Sequence, residues 1–209
     1  MAVEIKSKWR VPDAHAAQHI LLDPWIRAFT QEEWRTKETT AFYYDTPGHE
    51  LNRRRWELRL RHEGGQCVAA LKTPWPAAPP GLIGRNEWQC PAGDIGTGVP
   101  RLVAVGAPEE LRRLAAPAPL AELCQVVCRH EYGVLELPGG VVARLSLNAG
   151  ELSADAKKEP YIEMEIELLF GDPAEVRSLA GHLEDKYVLV PELAGKYERA
   201  LRLIRSRKN

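Results

Sequence analysis

The sequence predicts an α+β fold in which an antiparallel sheet curls into a closed barrel, with charged side chains in its lumen and helices packed outside. Three observations carry this expectation. Most of the chain reads as strands in hairpin succession, helices fill the gaps between them, and several strands set an apolar face against a face of long charged residues.

The first strand is Val3-Glu4-Ile5-Lys6-Ser7-Lys8-Trp9, in which every second residue is charged. Residues 13–22 read as a helix with Asp13 as its N-cap after Pro12, and residues 31–36 read as another. Trp56-Glu57-Leu58-Arg59-Leu60-Arg61 alternates without a break, and Gly64-Gly65 supplies a hairpin turn into a strand over 67–72. The proline-rich stretch 73–84 is a loop, and alternation resumes over 85–89. A short helix is expected over 108–114, followed by a strand that places Cys124 and Cys128 on one side. The turn Pro138-Gly139-Gly140 leads into a strand over 142–148. Residues 161–168 put Glu163, Glu165 and Glu167 on one face and Ile162, Met164, Ile166 and Leu168 on the other. Asp172-Pro173 caps a helix running to about Tyr187, and residues 191–205 form a closing basic helix.

In an ordinary half-exposed sheet such charged faces meet water. The set as a whole argues otherwise, because the charged sides carry long residues of mixed sign, with a row of three carboxylates on one strand: Glu4, Lys6 and Lys8; Glu57, Arg59 and Arg61; Arg85 and Glu87; Glu163, Glu165 and Glu167. Carboxylates two residues apart on a strand stand about 7 Å from one another and repel. Bases on facing strands relieve that repulsion if the sheet closes with its charges inside; a divalent cation is the alternative relief. A barrel whose outer face is sheltered by helices satisfies both faces.

The totals are compatible with this. The 209 residues suffice for one domain spanning 1–209 with a sizeable core, and 28 basic against 29 acidic residues leave a net charge of −1. Such near-neutrality favours neither nucleic acid nor an anionic membrane as partner. No apolar run approaches the roughly 18 residues that span a bilayer. The start also lacks the apolar core of a signal peptide, so a cytoplasmic protein is expected, as monomer or homodimer. Cys67, Cys90, Cys124 and Cys128 lack zinc-type spacing and are expected reduced, with Cys124 and Cys128 buried as small apolar groups. His15 and His19, four residues apart, are read as a solvated helix face.

Glu4-Ile5-Lys6-Ser7-Lys8 resembles the E-x-E-x-K signature of the CYTH, or triphosphate tunnel metalloenzyme, superfamily. Tyr43-Tyr44-Asp45-Thr46-Pro47, Trp56 to Arg61, Ala70-Leu71-Lys72, Gly84-Arg85-Asn86-Glu87, Glu163 to Leu168 and Gly195 to Leu201 follow in the superfamily's order and spacing over nearly the whole chain. The resemblance implies an eight-stranded antiparallel tunnel that binds triphosphate groups with magnesium or manganese (Mg2+ or Mn2+). Members hydrolyse inorganic triphosphate or thiamine triphosphate, and some cyclise ATP. By position, Lys8 is similar to the signature lysine, Arg59 and Arg61 to the paired phosphate-gripping arginines, and Lys72 and Arg85 to further basic positions. Arg129 and Arg144 resemble lumen arginines of the second half, and Lys196 the lysine of the C-terminal helix. Glu4, Glu163 and Glu165 would carry the metal, with Glu167 as substitute in a register shifted by two residues.

Two positions depart from the pattern. Lys6 stands where the second signature glutamate is expected, and Arg144-Leu145-Ser146-Leu147-Asn148 lacks the late-strand aspartate. The lumen is thereby more positive by about three charges, which weakens divalent-cation binding and favours a polyphosphate. The implied activity is metal-dependent phosphoryl transfer from triphosphate to water, abolished by Glu165→Ala. The alternative is a polyphosphate or nucleotide-triphosphate binding module with weak catalysis, in which Lys6 serves as a phosphate contact; adenylate cyclisation is a third option. Trp75, in the proline-rich loop, is the aromatic placed to stack on an organic moiety.

Overall fold

The computed structural model describes residues 2–30 and 32–205. In chain order its elements are β1 (Ala2–Arg10), α1 (Ala14–Leu21), α2 (Pro24–Phe29), β2 (Arg35–Asp45), α3 (Glu50–Arg53), β3 (Glu57–Glu63), β4 (Gln66–Pro74) and β5 (Ile83–Pro91). They continue with α4 (Ile95–Ala104), α5 (Glu110–Ala115), β6 (Ala121–Leu137), β7 (Val141–Ala154), β8 (Lys157–Phe170), α6 (Pro173–Lys186), β9 (Val190–Pro191) and α7 (Lys196–Arg205).

The strands run β5-β4-β3-β2-β6-β7-β8-β1, and β1 closes the ring by also pairing with β5. The result is the expected closed, eight-stranded, antiparallel barrel; β9 is appended beside β1. Closure abolishes sheet edges, so the barrel's interior backbone needs no other partner. Register follows charge. Glu4 stands opposite Arg85, Lys6 opposite Glu167, and Lys8 opposite Glu165. Lys72 lies between Glu57 and Glu87, and Arg144 is opposite Glu167. Each is an inward pair of opposite sign, and a slip of one residue would turn the charged set outward. Gly64 and Gly65, at φ of 56° and 78°, make the predicted tight turn between β3 and β4.

The outward side chains bury against helices in two clusters. Trp9, Leu145 and Ile166 pack with Ile20 of α1, Ile26 of α2 and Leu179 of α6. Leu58, Leu71 and Trp88 pack with Leu102 of α4 and Leu111 of α5. The last helix behaves differently. Tyr197, Ala200 and Leu201 of α7 cluster with Ala41, Tyr43, Val126 and Cys128, four residues that also line the lumen. Helix α7 is therefore a plug against the barrel's inner face. Arg199 fastens it, with 2.6 Å contacts to both Glu163 and Glu159. Glu163 is wholly buried and also meets Lys196 at 2.7 Å.

Two expectations on secondary structure need correction, and helix α4 has no counterpart among the expected elements. The helix over 31–36 is not formed: Gln31 lies outside the described residues, and β2 begins at Arg35, paired to Tyr132 of β6. Trp34 is drawn against the backbone of Gly133, where a Cβ would meet its ring at 3.2 Å, so tertiary packing prevails over local pattern. The last helix starts at Lys196 instead of 191, because Glu192 donates its N–H to the Lys8 carbonyl and its side chain accepts from Ala194 N, holding this stretch beside β1. Residues 95–104 carry no element expected from sequence. There α4 forms despite two glycines and Pro100, capped by Asp94 and held by burial of Val99 and Leu102. No helix among the described residues is long and apolar enough to cross a membrane.

Breaking a buried ion pair leaves an uncompensated charge, whereas exposed pairs contribute little. Arg199→Ala is therefore expected to lower unfolding free energy by about 3 kcal/mol in urea titration. Arg202→Ala, which removes only the exposed pair with Glu198, is expected to stay within about 0.5 kcal/mol of the parent. Equal effects would contradict the plug.

Candidate active site

Alternation along β1, β3, β5, β7 and β8 brings the charged faces into one lumen. Two adjoining cavities, of about 70 and 390 Å³, share Glu4, Lys6, Tyr43, Arg59, Lys72, Glu165 and Lys196. The larger lies in the size range of small-molecule sites. Nine bases line the pair (Lys6, Lys8, Lys37, Arg59, Arg61, Lys72, Arg85, Arg144 and Lys196) against five acids (Glu4, Glu57, Glu87, Glu165 and Glu167). The surplus of positive charge is walled by protein and therefore poorly screened. A third cavity, about 630 Å³, adjoins at Glu57, Ile83, Arg85 and Leu193, and Trp56 and Trp75 line it. Trp75 is thus at the mouth of the lumen.

The carboxylates are bound up by cations. Glu4 receives Lys6 at 2.8 Å and Lys72 at 2.6 Å, while Glu165 receives Lys6 at 2.9 Å and Lys196 at 2.8 Å. Burial opposes ionisation of Glu165, but Lys196, Lys6 and Lys8 outweigh it and hold the carboxyl well below its usual range. Burial likewise works against Glu4, and Lys6 and Lys72 overcome it. Lys6 is desolvated too, yet Glu165 and Glu4 raise its ammonium above the ordinary lysine value. For Glu167, burial and the neighbouring Glu4 charge push the carboxyl upward.

The guanidinium groups are less completely used. Arg59 gives one terminal nitrogen to Glu87 at 3.2 Å, and Arg144 gives one to Glu167 at 3.2 Å. The Nε donors of both arginines are buried and have no hydrogen-bond partner among the described residues. A buried donor without an acceptor costs free energy, and Arg61 Nε, in the same cavity, is in the same state.

Of the residues singled out from sequence, Glu4, Lys6, Lys8, Arg59, Arg61, Lys72, Arg85, Arg144, Glu165, Glu167 and Lys196 all line the cavities. Arg129 does not. It is exposed on the outward face of β6, whose lumen-facing residues are Val126, Cys128 and His130. Glu163 is not available as a ligand either, being enclosed by Lys8 at 3.8 Å, Lys196 and Arg199. Glu4, Glu163 and Glu165, with Glu167 as their substitute, are thus each engaged by cations, and no group of three or more His, Cys, Asp or Glu among the described residues is placed to hold an ion. The residues present do not fit a resident divalent metal.

Lys37 and His130 are lumen residues that sequence reasoning missed. His130 Nδ1 is hydrogen-bonded to Asn148 Oδ1. Burial pushes the imidazole below its usual value against the pull of that hydrogen bond. The available signal was the phase of β6: with Cys124 and Cys128 inward, His130 must follow and Arg129 must not. Cys90, Cys124 and Cys128 are buried free thiols, and burial pushes Cys124 up to about 12.

Burial pushes Lys8 down to about 8, against the attraction of Glu163. Nitrogen-detected NMR of lysine side chains is expected to show one ammonium titrating near pH 8, missing from Lys8→Met. Because the unfolded chain holds this proton up to about 10.5, stability contributed by Lys8 rises with pH between about 8 and 10.5. A midpoint at the ordinary lysine value would contradict the burial.

A family model described as the CYTH domain matches residues 1–200. Among solved structures, HpAC1 from Hippeastrum, an adenylyl cyclase candidate with a dominant triphosphatase activity, aligns at TM-score 0.58 and 22% identity, covering 99% of this chain and 97% of that one. PH1819 from Pyrococcus horikoshii OT3 aligns at TM-score 0.57 and 18% identity over 96% and 99%. A candidate adenylate cyclase from Bacillus halodurans aligns at 0.58 and 15% over 95% and 98%. At these identities the structural likeness concerns the fold.

Proposed function

The chain belongs to the CYTH domain family, and from that premise we propose that it is a phosphohydrolase that cleaves a triphosphate, inorganic triphosphate foremost, inside its basic lumen. The observation that supports this reading most is the pair of buried, unpartnered guanidinium Nε donors of Arg59 and Arg144 facing a cavity with surplus positive charge. Phosphoryl transfer to water needs little covalent chemistry from the protein. It needs the substrate held in line and the negative charge on the transferring oxygens neutralised by groups already in place.

On this reading Arg59, Arg61 and Arg144 grip phosphate oxygens, where a planar guanidinium engages two at once. Lys6, Lys8, Lys72 and Lys196 supply point charges along the chain of phosphates, and Arg85 leads toward the mouth. Trp75 and Trp56 at that mouth would cover an organic moiety when the substrate has one. Triphosphate tunnel enzymes of this family are generally dependent on divalent metal. In this lumen the carboxylates of Glu4 and Glu165 are engaged by lysines. That engagement favours a second reading, tight polyphosphate binding with little turnover. Adenylate cyclisation remains the third, and product analysis with ATP identifies it.

The deciding experiment is a phosphate-release screen over inorganic triphosphate, thiamine triphosphate, ATP and long-chain polyphosphate, with and without added metals. Release from triphosphate is expected, and saturable binding without release would establish the binding module instead. Arg59→Ala is expected to lower kcat/KM by about 100-fold, the scale for removing one preorganised charge-stabilising donor. Arg129→Ala, on the outer face, is expected to leave it at the wild-type value. A loss in Arg129→Ala equal to that in Arg59→Ala would contradict the assignment of the lumen.

A further inference from the structure

A lysine ammonium lies between the two lumen glutamates best placed to share an ion. Lys6 Nζ is 2.8 Å from Glu4 Oε1 and 2.9 Å from Glu165 Oε2, so one cation already joins them. The outer oxygen of each glutamate is taken as well, by Lys72 and by Lys196. Glu163, the remaining acid of the group, is enclosed by Lys8, Lys196 and Arg199. Across the ladder from Glu165 and Glu163 stand Ser146 and Asn148, which are neutral. Around these three carboxylates the cations Lys6, Lys8, Lys72, Lys196 and Arg199 are in the majority.

We propose that the Lys6 ammonium stands in for a resident divalent cation, so that this protein takes a triphosphate anion without first loading a metal. Mg2+ and Ca2+ need several oxygens converging at about 2.0–2.6 Å. Here Glu4 and Glu165 are held apart by an ammonium, and a dication entering between them would meet Lys6 at close range. Expelling Lys6 does not help, because its charge would stay buried with neither partner. An ammonium has three donors. Two serve the glutamates, and since Lys6 lines both cavities the third is presented to a phosphate oxygen. The same group thus orders the acids and binds the ligand. This inference rests on the triphosphate reading for the ligand's identity, but its metal half concerns the ligand-free protein.

The test is a Mn2+ titration of the ligand-free protein, followed by electron paramagnetic resonance of the free ion. The wild type is expected to leave the free-ion signal undiminished. Lys6→Glu, which removes the ammonium and adds a carboxylate, is expected to bind Mn2+ at least about tenfold more tightly than wild type, since ligand charge sets affinity. Stoichiometric Mn2+ binding by the wild type, lost in Glu165→Gln, would overturn the proposal, and this arm decides even if Lys6→Glu does not fold. A parallel calorimetric titration uses inorganic triphosphate in chelator and in Mg2+. Retained affinity in chelator is expected, and affinity that appears only with Mg2+ would overturn the proposal. Absence of triphosphate binding in both buffers would overturn the functional reading together with the ligand half of this one, and the Mn2+ titration would still decide the metal half.

Discussion

Closing a sheet with its charged face inward imposes one constraint: each ionised side chain in the lumen must find a counter-charge, or cost several kcal/mol by remaining unpaired. The barrel meets this first through register, setting Glu4 opposite Arg85, Lys8 opposite Glu165 and Lys72 between Glu57 and Glu87. It is met again in depth by α7, whose Lys196 and Arg199 enter from the end of the chain to enclose Glu163. The C-terminal helix is therefore bound to the lumen by electrostatics as well as by the apolar packing of Tyr197, Ala200 and Leu201. At Gly195, just before α7, a Cβ would meet Glu57 Oε1 at 2.7 Å, a contact that the end of that flexible side chain can relieve.

Hydrogen bonding is incomplete at several buried groups, the Nε donors of Arg59, Arg61 and Arg144 and the Oε2 acceptors of Glu63 and Glu163 among them. The acids of the lumen are held by lysines and arginines, while surplus donor capacity remains on Arg59 and Arg144. A cavity with ion-paired acids and unsatisfied guanidinium groups is prepared for an anion. The same pattern sets a lysine between two of the carboxylates that the superfamily motif assigns to a metal. Replacing one glutamate of the signature by Lys6 supplies the bridging charge internally, and it does so with a group that cannot leave.

Much of the architecture is legible in period-two alternation, because a barrel with opposite inner and outer chemistry writes its pattern into every strand. This signal alone places the charges of β1, β3, β5 and β8 on the lumen, whereas Arg144 of β7 and the number of strands come from the resemblance to CYTH motifs. What escaped was set by tertiary contact. The strand over 35–45 is polar and threonine-rich at its start, and only its pairing to β6 and the packing of Trp34 distinguish it from a short helix. Helix α2 carries the same Asp-Pro start at Asp23-Pro24 as the helix read correctly at Asp172-Pro173, so its signal was present but unused. On β6, a search for bases selected Arg129 when the phase of the cysteines pointed to His130. Which carboxylates would meet lysines and not one another is a three-dimensional property, and no spacing within one strand encodes it.

The most direct measurement of the central claim is a crystal structure of the protein with inorganic triphosphate, grown in the presence of chelator. The account predicts phosphate density inside the barrel, within hydrogen-bonding distance of Arg59, Arg144 and Lys6, with the Glu4–Lys6–Glu165 bridge intact. Phosphate bound on the outer face, or a lumen that stays closed by its own ion pairs at saturating triphosphate, would contradict it.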